Sequence, residues 1–260
     1  ILFFLCLPFN FLQAQERKTL IANDVCSIRL IPSPGVLWQY HLLADQQTID
    51  IKPPSFEIDG NAVSGNFSRF TVQRGLVLRN GVTEYLAEGA LAADPSISMT
   101  IRFRLAKNNP VVRFSYALSS KGSHRFTKKN GKDHFQYFSV SFARSPFAKE
   151  VRLSDFNEKY HATNLTEHVL DNRFYEDSLS IMGPILLGGD QKSRFLLAYE
   201  HGSQYPDRFL EYQFQKDKTV SLNAVKGNYL DQQLLDAGHD YQTIWFEIAG
   251  SAGDEDRLAA

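Results

Sequence analysis

The sequence predicts an all-β protein built from two packed antiparallel sheets, and three observations carry that reading. Apolar and polar residues alternate with a period of two along most of the chain, clusters of turn-forming residues separate the runs, and no helical periodicity is sustained. The clearest run is Ile97, Met99, Ile101, Phe103 and Leu105, alternating with Ser98, Thr100, Arg102 and Arg104. One face of such a strand is buried and the other is wet. After the turn Lys107-Asn108-Asn109-Pro110 comes a second run, in which Val112, Phe114, Tyr116 and Leu118 face away from Arg113 and Ser115. The two runs form a hairpin.

Similar runs recur at Val25 to Ile31, Val36 to Leu43, Phe67 to Val72, Phe135 to Phe142, Ile181 to Leu187, Phe195 to Tyr199, Phe209 to Phe214, Val220 to Val225 and Tyr241 to Ile248. Turn clusters lie between them, among them Asp59-Gly60-Asn61, Arg79-Asn80-Gly81 and Lys129-Asn130-Gly131-Lys132. This many one-sided strands exclude a barrel of βα repeats, and two stacked sheets bury them most simply. With 260 residues, 43% hydrophobic and 13% aromatic, one such domain has enough apolar material for its core. The balance of 28 basic against 29 acidic residues, with no basic stripe, argues against nucleic acid as a partner.

The first residues, Ile1 to Ala14, are apolar and uncharged, interrupted by Pro8 and Asn10. They are too short for a bilayer span, which takes about 20 apolar residues. They read as the back half of a signal peptide cleaved near Ala14, so the protein is expected to be secreted or periplasmic, with no membrane span. A buried first strand is the alternative. The expected organisation is 1–14 as signal remnant, 15–250 as sandwich, and 251–260 as the start of a linker and helix, in which Gly250 to Gly253 break the last strand and Asp254, Glu255 and Asp256 form an acidic first turn. That helix would lead into a further domain. Cleavage would leave Cys26 as the one cysteine of the mature chain, a small buried hydrophobe rather than a nucleophile.

Candidate sites are sparse. Ser154, Asp155 and His161 have the residue types of a nucleophile triad but lack a strained elbow. His161, His168 and His201 do not form the close pairs that announce zinc, so neither metal nor cofactor is expected. The stretch Ala198 to Leu210 departs from strand chemistry, placing Glu200, His201, Gln204, Tyr205, Asp207 and Arg208 in one loop between apolar strands. Loops of this kind on a rigid sheet suit sugar contacts; their charges also suit satisfying backbone groups at a corner.

The runs MGPILL (Met182 to Leu187), LLAYEHGSQYPDRFLEY (Leu196 to Tyr212), LNAVKGNYL (Leu222 to Leu230) and YQTIWFEIAGSAGDEDRLA (Tyr241 to Ala259) resemble the N-terminal domain of family 36 glycoside hydrolases of the α-galactosidase type. VVRFSYAL (Val111 to Leu118) and EVRLSDF (Glu150 to Phe156) fit the same pattern. The resemblance implies a galactose-mutarotase-like β-supersandwich leading into a (β/α)8 barrel that hydrolyses terminal α-galactosides with retention. Retention needs two carboxylates about 5 to 5.5 Å apart. Both would lie on the barrel, beyond Ala260, so no catalytic residue is assigned to this chain. The implied partners are that barrel, a carbohydrate substrate and, in some relatives, further copies of the chain. Two other readings stand beside this one: the equivalent sandwich of a different exo-glycosidase, and a free-standing carbohydrate-binding protein.

Within this frame Glu200, His201, Gln204, Asp207, Lys226 and Asn228 are expected to form one polar patch with Tyr205 and Tyr229 at its margin, facing substrate or barrel. The competing expectation is that Gly202, Pro206 and Gly227 merely set turns, and that Glu200 pairs with Lys226 or Arg208.

Overall fold

A computed structural model describes residues 20–33, 35–44, 46, 48–128, 135–141, 147–170, 179–181, 183–189, 193–200, 210–224 and 232–253. All regular structure among them is strand. The chain opens with β1 (Leu20–Ala22), β2 (Cys26–Ser33), β3 (Val36–Leu42), β4 (Thr48–Lys52), β5 (Ser55–Ile58) and β6 (Asn61–Ser64). It then lays down a meander of β7 (Phe67–Val77), β8 (Thr83–Leu91), β9 (Ile97–Leu105) and β10 (Val112–Ser120). Next come β11 (His124–Arg125), β12 (Gln136–Ser141), β13 (Phe147–Asn157), β14 (Ala162–Val169), β15 (Ser180–Ile181), β16 (Ile185–Gly189) and β17 (Ser193–Tyr199). The remainder is β18 (Leu210–Phe214), β19 (Thr219–Ala224), β20 (Leu234–Leu235), β21 (Tyr241–Gln242) and β22 (Phe246–Ala252).

Two large antiparallel sheets result. The first runs β1-β2-β3-β4-β12-β19-β18-β15, with β5 and β6 attached at β12. The second runs β14-β13-β16-β17-β22-β10-β9-β8-β7, with β21 on β10. A small ladder joins β11 to β20. The expected all-β sandwich is therefore present, and its last strand continues through Ser251 and Ala252, past the expected boundary at 250, because both pair with β17. Residues 254–260 of the expected helix, the signal segment and the turn at Lys129 to Lys132 lie outside the described residues.

The hairpin of β9 and β10 pairs Ile101 with Tyr116 and Phe103 with Phe114. All four are buried, as the alternation requires. Ser115 faces outward and yet is fully buried. Its hydroxyl is buried without a hydrogen-bond partner among the described residues. Between the sheets an aromatic core has formed, in which Trp38 meets Phe103 and Phe114 edge-on at 5.2 and 5.0 Å and Phe114 meets Phe138 at 5.6 Å. Each such pair adds about 0.5–1.5 kcal/mol to the burial of its area. Cys26 lies in this core, and burial pushes its thiol up to about 11, which removes it as a nucleophile.

Two predicted runs are subdivided. Ile181 to Leu187 splits between β15 in the first sheet and β16 in the second, and Tyr241 to Ile248 splits into β21 and β22. Gly183 stands at the first break, where a Cβ would come within 2.5 Å of the Val151 carbonyl oxygen. Only glycine fits that approach.

Candidate functional site

The two segments singled out in the sequence join elements in different ways. Residues 201–209 lead from β17 in the second sheet to β18 in the first, and residues 225–231 lead from β19 to β20. Because β18 and β19 pair in the register Leu210 to Ala224, the roots of the two segments adjoin at one end of that hairpin. Of the eight residues expected in the patch, Glu200 is described. His201, Gln204, Tyr205, Asp207, Lys226, Asn228 and Tyr229 lie outside the described residues, as does Arg208.

Glu200 stands just past β17, where its amide donates to the Trp245 carbonyl at 2.9 Å. Its carboxylate accepts Arg113 Nε at 2.6 Å and forms an ion pair with the same guanidinium. The described ion partner of Glu200 is thus Arg113, on a strand remote in sequence. Glu247 also approaches Arg113, at 3.5 Å. Arg104, directly opposite Arg113 across the ladder, binds Glu84 at 2.8 Å and lies 4.1 Å from the centre of the Trp245 ring. Arg113 is 5.3 Å from the same ring.

These residues form one cluster on the outward face of the second sheet. Burial holds the Glu247 carboxyl above its ordinary range, the neighbouring Glu200 charge adds to the effect, and Arg113 opposes it. The Arg113–Glu200 pair is about two-fifths exposed on each side, so it orients more than it stabilises. Sequence reading had Arg113 and Arg104 on the polar face but no means of knowing which strands would carry Trp245 and Glu247 beside them.

Beyond this cluster, toward β14, the outward face changes character. Val151, Leu187, Ala198 and Ala249 face away from the aromatic core and are nonetheless buried. Leu165 and Val169, on the same side of β14, are 62% and 71% exposed.

Inside the sandwich, Glu150 is buried and paired with Arg152 at 3.0 and 3.1 Å, while accepting the Gly183 amide at 2.6 Å. A buried carboxylate so compensated reads as structural. Ser154 and Asp155 lie on β13 and His161 at the turn that follows it. No group of three or more His, Cys, Asp or Glu able to hold a metal occurs among the described residues.

Neither a family model nor a curated protein matches the sequence. Solved structures match through the fold, among them α-galactosidases of glycoside hydrolase family 36. The α-galactosidase AgaA of Geobacillus stearothermophilus aligns with a TM-score of 0.59 at 9% identity, over 91% of this chain and 41% of its own. The α-galactosidase from Lactobacillus brevis gives 0.58 at 9% identity, over 93% and 40%. The α-N-acetylgalactosaminidase NagBb of Bifidobacterium bifidum gives 0.57 at 8% identity, over 93% and 37%. The resemblance noted in the sequence is thus met by the fold, and the chain spans about two-fifths of the length of these enzymes.

Proposed function

We propose that this chain is the non-catalytic N-terminal sandwich of an exported α-galactosidase, and that its second sheet docks on the catalytic barrel. The observation that carries the reading is the fold shared with family 36 α-galactosidases over nine-tenths of this chain and two-fifths of theirs. Further support comes from the edge strand β14 of that sheet, where the apolar side chains of Leu165 and Val169 are largely exposed. Adjoining roots of segments 201–209 and 225–231 support a single polar patch at the entrance to the sugar site.

In this reading the catalytic carboxylates belong to the barrel, and the sandwich contributes Glu200 and its loop to the shape of the entrance. The N-acetylgalactosaminidase among the structural neighbours keeps a second substrate class in view, the N-acetylated sugar. Turnover of p-nitrophenyl α-galactoside tests the proposal. The complete product of the gene is expected to hydrolyse it with retention, and residues 1–260 alone to do nothing. A gene that stops after the sandwich, or a complete product that is inert on both α-galactoside and α-N-acetylgalactosaminide, would refute it.

A further inference from the structure

A second constellation lies at the end of the sandwich where three connections meet. Asp59 and Gly60 make the two-residue turn between β5 and β6, both with positive φ (54° and 76°). The Asp59 carboxylate accepts the Arg125 amide at 2.9 Å and stands 2.7 Å from His124 Nδ1. On the far side of the ring, His124 Nε2 is 2.9 Å from Ser96 Oγ, and that hydroxyl lies 2.6 Å from Asp94 Oδ1. Asp94 and Ser96 belong to the turn between β8 and β9.

In outline Asp59, His124 and Ser96 are the array of a nucleophilic serine. Its surroundings exclude that chemistry. The Asp94 carboxylate sits against Ser96 Oγ, where negative charge opposes the oxyanion of acyl transfer. The nearby amide donors are also committed: Ser96 N to Asp94 Oδ1, Ile97 N to Asp94 O, Lys121 N to Ser96 O and Gly122 N to Ser120 Oγ.

Counting protons shows what the array does instead. Three short contacts run in line, and the two carboxylates at the ends can only accept. A neutral imidazole and the Ser96 hydroxyl supply two protons between them, which leaves one contact with lone pairs facing each other. An imidazolium supplies the third: Nδ1–H to Asp59, Nε2–H to Ser96 Oγ, and Ser96 O–H to Asp94. We propose that Asp59, His124, Ser96 and Asp94 form a proton-operated clamp, in which a doubly protonated His124 ties the β5–β6 turn, the β8–β9 turn and the β11–β20 ladder together.

The groups facing the ring among the described residues agree in sign. Asp59 and, through Ser96, Asp94 are both acidic. Arg125 is turned to the Gln232 carbonyl at 3.1 Å, Lys121 has no described bond to the ring, and Asp236 beyond β20 is held by the Gly238 amide and His239. The Asp94 carboxyl is held below its ordinary range, chiefly by the Ser96 hydroxyl and amide, with His124 adding to the effect. The clamp acts on β20 because His124 pairs with Leu235, Phe126 N donates to Gln233 O at 3.0 Å, and Gln232 N donates to Phe126 O at 2.7 Å. That ladder receives the chain as it leaves segment 225–231, so the clamp governs one root of the patch proposed above. This consequence rests on that proposal, whereas the clamp does not.

Nitrogen-15 spectra of the imidazoles at about pH 7.5, where a free ring is mostly neutral, read the proton count directly. Two protonated ring nitrogens on His124 are expected; a single one would overturn the clamp. Ser96→Ala removes the central contact of the array and is expected to change that spectrum, and a His124 spectrum left unchanged by the substitution would contradict the proposal.

Discussion

The outward face of the second sheet is two surfaces in one. On β8, β9 and β10 it carries Glu84, Glu88, Thr100, Arg102, Arg104 and Arg113, all at least partly open to water. On β13, β16, β17 and β22 the same face carries Val151, Ile185, Leu187, Leu196, Ala198 and Ala249, with Lys149, Arg194, Glu247 and Ser251 among them and Lys149 paired to Glu167 of β14. Trp245, Arg113, Glu200 and Glu247 stand at the border. Alternation with period two is the mark of a strand wet on one side, and apolar residues on both sides mark a strand covered on both. The difference is that one half of this face is open to water, while the other is largely covered within the chain itself.

Substitutions can break this comparison, beginning with the inward face common to both halves. Phe114→Ala is expected to cost about 3–5 kcal/mol and Ile101→Ala about 2–5 kcal/mol, since both empty fully packed sites. Thermal or urea unfolding measures it. Arg102→Ala, one residue along but outward, is expected to cost well under 1 kcal/mol. Equal losses for Ile101→Ala and Arg102→Ala would show the faces to be wrongly assigned.

The same change made on the outward face of each half sharpens the contrast. Ala249→Lys places an unpaired charge where 2% of the residue is exposed, and about 3–5 kcal/mol of destabilisation follows. Ala117→Lys, on the same face of β10, is expected to change stability by about 0.5 kcal/mol or less. Similar midpoints for the two variants would dissolve the distinction.

The smallest effect belongs to the border. A Glu whose folded-state proton affinity is raised adds stability below the ordinary carboxylate range and loses it as pH rises through the raised value. At neutral pH the Glu247 carboxylate is therefore a burden, and Glu247→Gln is expected to melt no lower than wild type, with any gain vanishing in acid. A clear loss on Glu247→Gln at neutral pH would show that the Arg113 contact outweighs burial.

How much of this the sequence disclosed follows from the same contrast. Ile97 to Leu105 could be read strand and face together, because one side is wet and the alternation is written in the residue types. Ile185–Gly189 could be recognised as a strand, but an apolar run covered on both sides has no preferred face, and the change of sheet at Gly183 is a matter of backbone approach. The candidate patch was legible as two polar interruptions, and the pairing of Leu210 with Ala224 sets their roots together. The partners of Glu200 were not legible, since Arg113 and Glu247 reach it across strands 87 and 47 residues away in sequence. For the same reason Asp59, Ser96 and His124 carry no local signal, while the nearer trio of Ser154, Asp155 and His161 does.

Hydroxyl-radical footprinting of residues 1–260 and of the complete gene product, side by side, tests the central claim most directly. Leu165 and Val169 border the apolar half and are 62% and 71% exposed, while Leu76 and Val77, on the opposite edge strand, are 72% and 62% exposed. In the complete product Leu165 and Val169 are expected to lose most of their labelling and Leu76 and Val77 to keep theirs. Labelling of Leu165 and Val169 that does not change between the two proteins would contradict docking through this face.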